Sequence, residues 1–210
     1  MRLILMLCLA LASPVRAEGD RAGAFDYYIA AFSWTPAWCA AEGDARGDAR
    51  CADGAGKGFG LHGLWPQHER GWPSWCRTVQ RDPTRAETAA AGQLYGSAGL
   101  AWHQWQKHGR CSGLSARDYY LASARALDRV RMPRAFARMD HAITIDAAAV
   151  EAAFLAANPG LTRDMVTVTC RDGAIHEVRV CLTRTLEPRR CGADAIRDCR
   201  LRNARMDPPR

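Results

Sequence analysis

The chain has 210 residues, 24% charged and 48% hydrophobic, with 29 Lys+Arg against 22 Asp+Glu and a formal charge of +7. That length suits one domain with a sizeable core. The basic balance favours a polyanionic partner such as nucleic acid. Beyond the first residues no stretch is long and apolar enough for a transmembrane helix, which excludes an integral membrane protein built on helices.

Residues 1–17 read as a secretory signal. Arg2 gives the positive start, Leu3 to Ala12 is an uncharged apolar run too short to span a bilayer, and Val15-Arg16-Ala17 offers small residues at the cleavage spacing. Removing Arg2 and Arg16 leaves 27 basic against 22 acidic side chains, a net charge of +5. Export makes the cysteines disulfide candidates. Cys8 leaves with the signal, and Cys39, Cys51, Cys76, Cys111, Cys170, Cys181, Cys191 and Cys199 remain. No Cys-x-x-Cys pair occurs, which argues against a zinc site. Eight cysteines allow about 105 pairings, and spacing alone does not choose among them.

Residues 18–210 read as one domain, with no internal repeat and no linker. Phe25 to Trp34 is aromatic and suits a core strand. Ala40 to Gly58, rich in Gly, Asp and Ala, reads as a loop flanked by Cys39 and Cys51. Phe59 to Leu64 resumes as a short strand, and Pro66 to Pro83 reads as irregular. Helices are expected over Ala86–Leu94, over Leu100–His108 with Gly109 as its C-terminal cap, over Ser115–Arg131, and over Asp146–Ala157. Met165–Cys170 and Ile175–Thr183 read as a strand pair around Asp172-Gly173. The tail after Arg200 is expected to fray. Helices and strands do not alternate strictly, so the pattern favours an α+β fold over a doubly wound sheet.

Two segments concentrate chemistry. In Phe59-Gly60-Leu61-His62-Gly63-Leu64-Trp65-Pro66, strand alternation turns Phe59 and Leu61 to one face and His62 to the other, toward a cleft. In Trp102-His103-Gln104-Trp105-Gln106-Lys107-His108-Gly109, helical spacing sets His103, Lys107, Gln104 and His108 at about 0°, 40°, 100° and 140°. Trp105 and Trp102 fall near about 200° and 260°, on the burying side. Two imidazoles able to give and take protons near neutrality, with an ammonium beside them, suit cleavage of a phosphodiester at a ribose 2′-hydroxyl without a metal or cofactor. Taken alone, these residues describe a secreted hydrolase or an anion binder. A zinc site of His62, His103 and His108 lacks the His-Glu-x-x-His spacing and an evident carboxylate ligand. His68, His141 and His176 read as structural or surface groups, His68 being near enough to the first segment to touch substrate.

The two segments resemble the signatures of the ribonuclease T2 family, acid endoribonucleases of fungi, plants and bacteria that include the periplasmic ribonuclease I type. The family forms are F-T-I-H-G-L-W-P and H-E-W-x-K-H-G-T-C; this chain has F-G-L-H-G-L-W-P at Phe59–Pro66 and H-Q-W-Q-K-H-G-R-C at His103–Cys111. Phe25 to Trp34 and Glu177 to Cys181 look like the family's first and late strands. The resemblance implies a central antiparallel sheet flanked by helices in a disulfide-stapled domain. It implies His62 as general acid, His108 as general base, His103 and Lys107 at the phosphate, and Trp65 stacking a base. It implies Gln104 at a catalytic position where the family has glutamate, with activity reduced or shifted in pH rather than lost, and Gln67 at a substrate-binding position where many members have an acidic residue, which leaves the base preference open. The implied disulfides are Cys39–Cys51, Cys76–Cys111, Cys170–Cys199 and Cys181–Cys191. The implied protein is a monomer, secreted or periplasmic in a bacterium, cutting single-stranded RNA through a 2′,3′-cyclic phosphate to a 3′-phosphate. A catalytically weakened, secreted RNA-binding homologue is the alternative that Gln104 raises.

Overall fold

The computed structural model describes residues 20–210, and the expected signal segment, 1–17, lies outside them. In chain order the elements are β1 (Tyr27–Trp34), α1 (Thr35–Trp38), β2 (Phe59–Gln67), α2 (Arg85–Tyr95), α3 (Ala98–Lys107), α4 (Ala116–Arg129), α5 (Arg134–Ala137), β3 (Ile143–Ile145), α6 (Ala147–Ala157), β4 (Val166–Arg171), β5 (Ala174–Leu182) and β6 (Ala204–Met206). Each longer helix starts on a side-chain oxygen that satisfies a free amide: Thr84 with Glu87 in a reciprocal capping box, Ser97, Ser115 and Asp146.

The sheet is antiparallel apart from one contact. β1 lies between β2 and β5, β4 pairs the other side of β5, and β6 pairs β3 and meets β5 in parallel at Ala174 and Arg205. One sheet face carries Ala30, Phe32, Leu61, Leu64, Val178, Val180 and Leu182 into the main core, where Trp105 and Tyr119 of α3 and α4 and Phe154 of α6 join them. The opposite face carries the site. Four disulfides form, Cys39–Cys51, Cys76–Cys111, Cys170–Cys199 and Cys181–Cys191. Cys76–Cys111 spans 35 residues, a closure worth about 3–4 kcal/mol of lost chain freedom in the unfolded state. It ties the segment after β2 to the end of α3.

Several expectations are corrected. The stretch after β1 is not a plain loop: α1 and a run of short helical turns occupy Thr35–Arg46 and Ala49–Cys51, pinned by the Cys39–Cys51 bridge. β2 continues through Pro66 to Gln67; at the sheet edge a proline without an N–H is tolerated. Gly109 is not a left-handed cap. A Cβ there would meet Trp105 and Tyr119 carbons at 2.6–2.9 Å, so close packing requires the glycine. The left-handed turn comes at Gly113, φ 77°. The tail does not fray. Ala204 and Met206 are fully buried, the Trp34 indole donates to the Asp207 carbonyl at 3.0 Å, and Arg210 pairs with Asp44. β3 and α5 carried no signal that periodicity could detect at three and four residues.

Candidate active site

His62 owes its position to an irregularity in β2. Ala31 faces Gly63 and Phe32 faces Leu61, so His62 is an extra residue with no partner in β1. A bulge of this kind re-aims one side chain while the strand continues. It allows Leu61 and Leu64, three apart, to enter the same core, and leaves His62 and Trp65 together on the opposite face.

The imidazole Nδ1 of His62 lies 2.5 Å from Oε1 of Glu177 on β5. Glu177 is 1% exposed and also accepts from Ser33 Oγ at 3.1 Å and from Nε and Nη2 of Arg179 at 3.0 and 2.8 Å. Burial alone would raise this carboxyl; the His62 hydrogen bond and the charges of His62 and Arg179 outweigh burial and hold it well below the usual carboxylate range. An ionised carboxylate only accepts, so the proton sits on Nδ1 of His62 and Nε2 is left for substrate. β2 and β5 lie two strand spacings apart, about 9–10 Å. The small Ser33, opposite Glu177 on β1, lets the two long side chains meet across that gap.

α3 supplies the second half, with a division that helical angles alone did not give. Gln104 and Trp105 are buried, His103 is exposed, and Lys107 is half-buried. His108 leaves the helix with φ −121° and is 6% exposed. Its ring stacks on Trp65 at 5.3 Å between centroids, while His62 meets the same indole edge-on at 5.2 Å. Trp65 therefore joins the two imidazoles, with the Arg179 guanidinium 5.2 Å from its ring centroid. Burial, with the positive charges of Lys107, His62 and His103, pushes His108 down to about 2. Its Nδ1 is buried with no hydrogen-bond partner among the described residues. Burial and the charges of Lys107 and His62 also lower His103.

Gln104 accepts a hydrogen bond from the Trp65 indole N–H at 2.9 Å. Gly63 makes that contact possible, since a Cβ there would lie 2.0 Å from Gln104 Oε1 and 2.2 Å from Trp65 Nε1. Gly63→Ala is expected to push the two apart, destabilise the fold by about 1–3 kcal/mol and displace Trp65 from both imidazoles. Thermal melts and RNA-cleavage rates measured on that variant check this.

Gln67 is not brought to the cluster. It is buried, and its amide donates to the Pro66 carbonyl at 2.9 Å. His68 sits 3.9 Å from Asp26, and His141 pairs with its neighbour Asp140 at the surface. His176 is half-buried at a second bulge, on β5, and lines a cavity shared with His62. Sequence reasoning missed Glu177 and Arg179 as site residues. It also missed Trp75, which is 51% exposed, has φ 54° and meets the His103 ring at 5.8 Å. Among the described residues no group of three or more His, Cys, Asp or Glu is placed to hold a metal ion.

The fold is an α+β domain that sets two imidazoles on one face of its sheet. The Ribonuclease T2 family profile matches residues 25–191, and the chain belongs to that family. It is 44% identical over 127 residues to a protein named ribonuclease from Aeromonas hydrophila, a match covering 58% of this chain and 56% of that relative. The chain thus spans about half the length of that curated relative. Among solved structures it is similar to an RNase-related protein from Calystegia sepium, with TM-score 0.66, 17% identity, and 88% and 97% of the two chains covered. It is also similar to RNase NT, solved with 5′-AMP, with TM-score 0.58, 21% identity, and 88% and 98% covered. These two likenesses establish the shared fold.

Proposed function

We propose that the protein is an exported endoribonuclease that cleaves single-stranded RNA by metal-independent transphosphorylation. The observation that carries this is the opposite setting of two imidazoles around one indole: His62 bound to a buried, ionised carboxylate, and His108 buried as the neutral base. Such divergent environments separate acid from base. Neutral His108 takes the 2′-hydroxyl proton as the 2′-oxygen attacks phosphorus. His62, its Nδ1 held by Glu177, gives the Nε2 proton to the departing 5′-oxygen. The product is a 2′,3′-cyclic phosphate. Water then opens it with the roles reversed, leaving a 3′-phosphate and both imidazoles in their starting states. Lys107, and His103 once a phosphate offsets its cationic neighbours, balance the charge on the five-coordinate phosphorus.

Gln104 removes a negative charge that the family motif carries on α3, yet Glu177 keeps a carboxylate on His62. This favours a working enzyme over an RNA-binding homologue without turnover. Export fits the four disulfides, which persist in an oxidising compartment, and no helix among the described residues is long and apolar enough to cross a membrane.

The test is cleavage of a single-stranded RNA beside its 2′-deoxy counterpart. The RNA is expected to be cut and the deoxy chain left intact; tight binding of RNA with no cutting would favour the binding homologue. The pH profile supplies a further check. Because His108 and Glu177 both titrate low, kcat/KM is expected to persist well below the ordinary imidazole range near about pH 6.5. An acidic limb near that pH would contradict His108 as the buried base.

A further inference from the structure

Arg179 takes no part in the proton transfers, yet its guanidinium stands at the site. On β1, Ser33 faces Glu177 and Ala31 faces Arg179, and on its other side Ala31 faces Gly63 of β2. Glu177 crosses the small Ser33 to reach His62. In the same way Arg179 crosses Ala31, which brings its guanidinium carbon 5.2 Å from the Trp65 ring centroid. Nε and Nη2 both donate to one oxygen of Glu177, Oε2, at 3.0 and 2.8 Å, and so fix the guanidinium plane. Those bonds use the inner edge of the group. A guanidinium carries five N–H donors in a planar fork, so both hydrogens of Nη1 and one of Nη2 remain. They have no acceptor among the described residues. His108 Nδ1 is the only buried side-chain nitrogen or oxygen without a partner among those residues, so Nη1 of Arg179 is open to solvent, in keeping with a side chain that is 33% exposed.

We propose that Arg179 determines base preference: its outer edge hydrogen-bonds the base of the nucleotide whose 2′-oxygen attacks, and guanine fits it best. This rests on the proposed reading of His108 as the group that takes the 2′-hydroxyl proton, which puts the ribose of that nucleotide at His108. The His108 ring and the Arg179 guanidinium lie 5.3 and 5.2 Å from the same indole centroid. Arg179, Trp65 and His108 all stand outside the cavity that His62 shares with His103. A nucleoside with its ribose at His108 therefore sets its base beside Arg179. Arginine only donates. Gln67 is turned to the Pro66 carbonyl, and Glu177 is engaged by His62, Ser33 and Arg179, so neither offers the base an acceptor. The free edge thus selects bases by their own acceptors. Guanine has two, O6 and N7, spaced to match two guanidinium N–H groups. Adenine keeps N7 but puts its N6 donor where O6 stands. Two purines of like stacking surface are then separated by one exocyclic group.

The test is cleavage of minimal substrates, each a ribonucleotide followed by deoxycytidine so that only one bond can be cut. The ribonucleotide carries guanine, hypoxanthine, 7-deazaguanine or adenine. A good bidentate contact discriminates by about five- to 150-fold, and a partly exposed one falls at the low end, so guanine is expected to exceed adenine in kcat/KM by about five- to tenfold. Hypoxanthine keeps O6 and N7 and is cut like guanine. 7-Deazaguanine loses N7 and falls toward adenine; this comparison uses the unaltered protein and needs no variant to fold. Arg179→Lys keeps a positive charge beside Glu177 but loses the fork, and is expected to bring the guanine-to-adenine ratio within about twofold of unity. Because Arg179 also holds Glu177, the variant slows every substrate through His62. That loss is common to all the bases and leaves their ratio unchanged, so a purely structural role does not give the expected result. Equal kcat/KM for guanine and adenine overturns the assignment, as does 7-deazaguanine cut like guanine, hypoxanthine cut like adenine, or an unchanged ratio in Arg179→Lys. Each of these leaves the ribonuclease reading intact. Failure to cut any of the substrates removes that reading, and this inference with it.

Discussion

His108→Ala and His62→Ala each lower kcat/KM on single-stranded RNA by about 10²- to 10⁴-fold, the range of a positioned acid or base. The two losses do not multiply in the double variant, because groups that act in one proton-transfer cycle fail together. The fold survives His108→Ala: the imidazole is buried with an unpartnered nitrogen, and its removal leaves no new unpaired group behind. Near-ultraviolet circular dichroism and thermal melts separate lost chemistry from lost structure. The roles are separated by the leaving group. On a ribonucleoside aryl phosphodiester, whose phenolate departs without a proton, His62→Ala recovers most of its rate and His108→Ala does not. The reverse pattern exchanges the acid and base assignments.

Glu177→Gln has the second largest effect. Glutamine keeps the shape but removes the carboxylate that accepts from His62 Nδ1, and it leaves the Arg179 guanidinium without its ionic partner. Replacing the orienting carboxylate of a serine-protease triad by its amide costs about 10⁴-fold through the wrong tautomer; here a loss of about 10²- to 10⁴-fold in kcat is expected by the same logic. Because Glu177 acts through His62, the aryl substrate rescues Glu177→Gln as it rescues His62→Ala, a recovery that a purely structural carboxylate would not give. Glu177→Ala adds a folding defect of about 3–5 kcal/mol, as expected when one partner of a buried ion pair is deleted. Full activity of Glu177→Gln on RNA would show that the short contact to His62 has no part in catalysis.

The two histidine segments could be read directly because their spacing is local. Strand alternation turned His62 away from Leu61, and the helix brought His103 and Lys107 to one side. The bulge also left a trace: Leu61 and Leu64 are both apolar core residues three apart in a strand, which unbroken alternation does not permit. Glu177 was less accessible to such reading. Alternation in β5 places Glu177 and Arg179 opposite Val178 and Val180, but their meeting with His62 depends on β1 lying between β5 and β2 and on Ser33 being small. That is a register between strands more than a hundred residues apart, which local periodicity does not encode. The burial of Gln104 and His108 had a similar origin. Helical angles group them with His103, yet the indole of Trp65 and the absent side chain of Gly63 decide which of the four face the sheet. The ordered tail was misread because short polar segments fray unless something holds them. Here buried Ala204 and Met206, the Trp34–Asp207 hydrogen bond and the Arg210–Asp44 pair do so.

The most direct test of the mechanism is the chemical identity of the ends produced from a short single-stranded RNA by the purified protein in the presence of a chelator, followed by mass spectrometry. The account predicts 2′,3′-cyclic phosphate ends early, converting to 3′-phosphates, with the new 5′ ends bearing hydroxyls. Ends bearing 5′-phosphates, or cleavage that ceases when divalent ions are removed, would contradict transphosphorylation by His62 and His108.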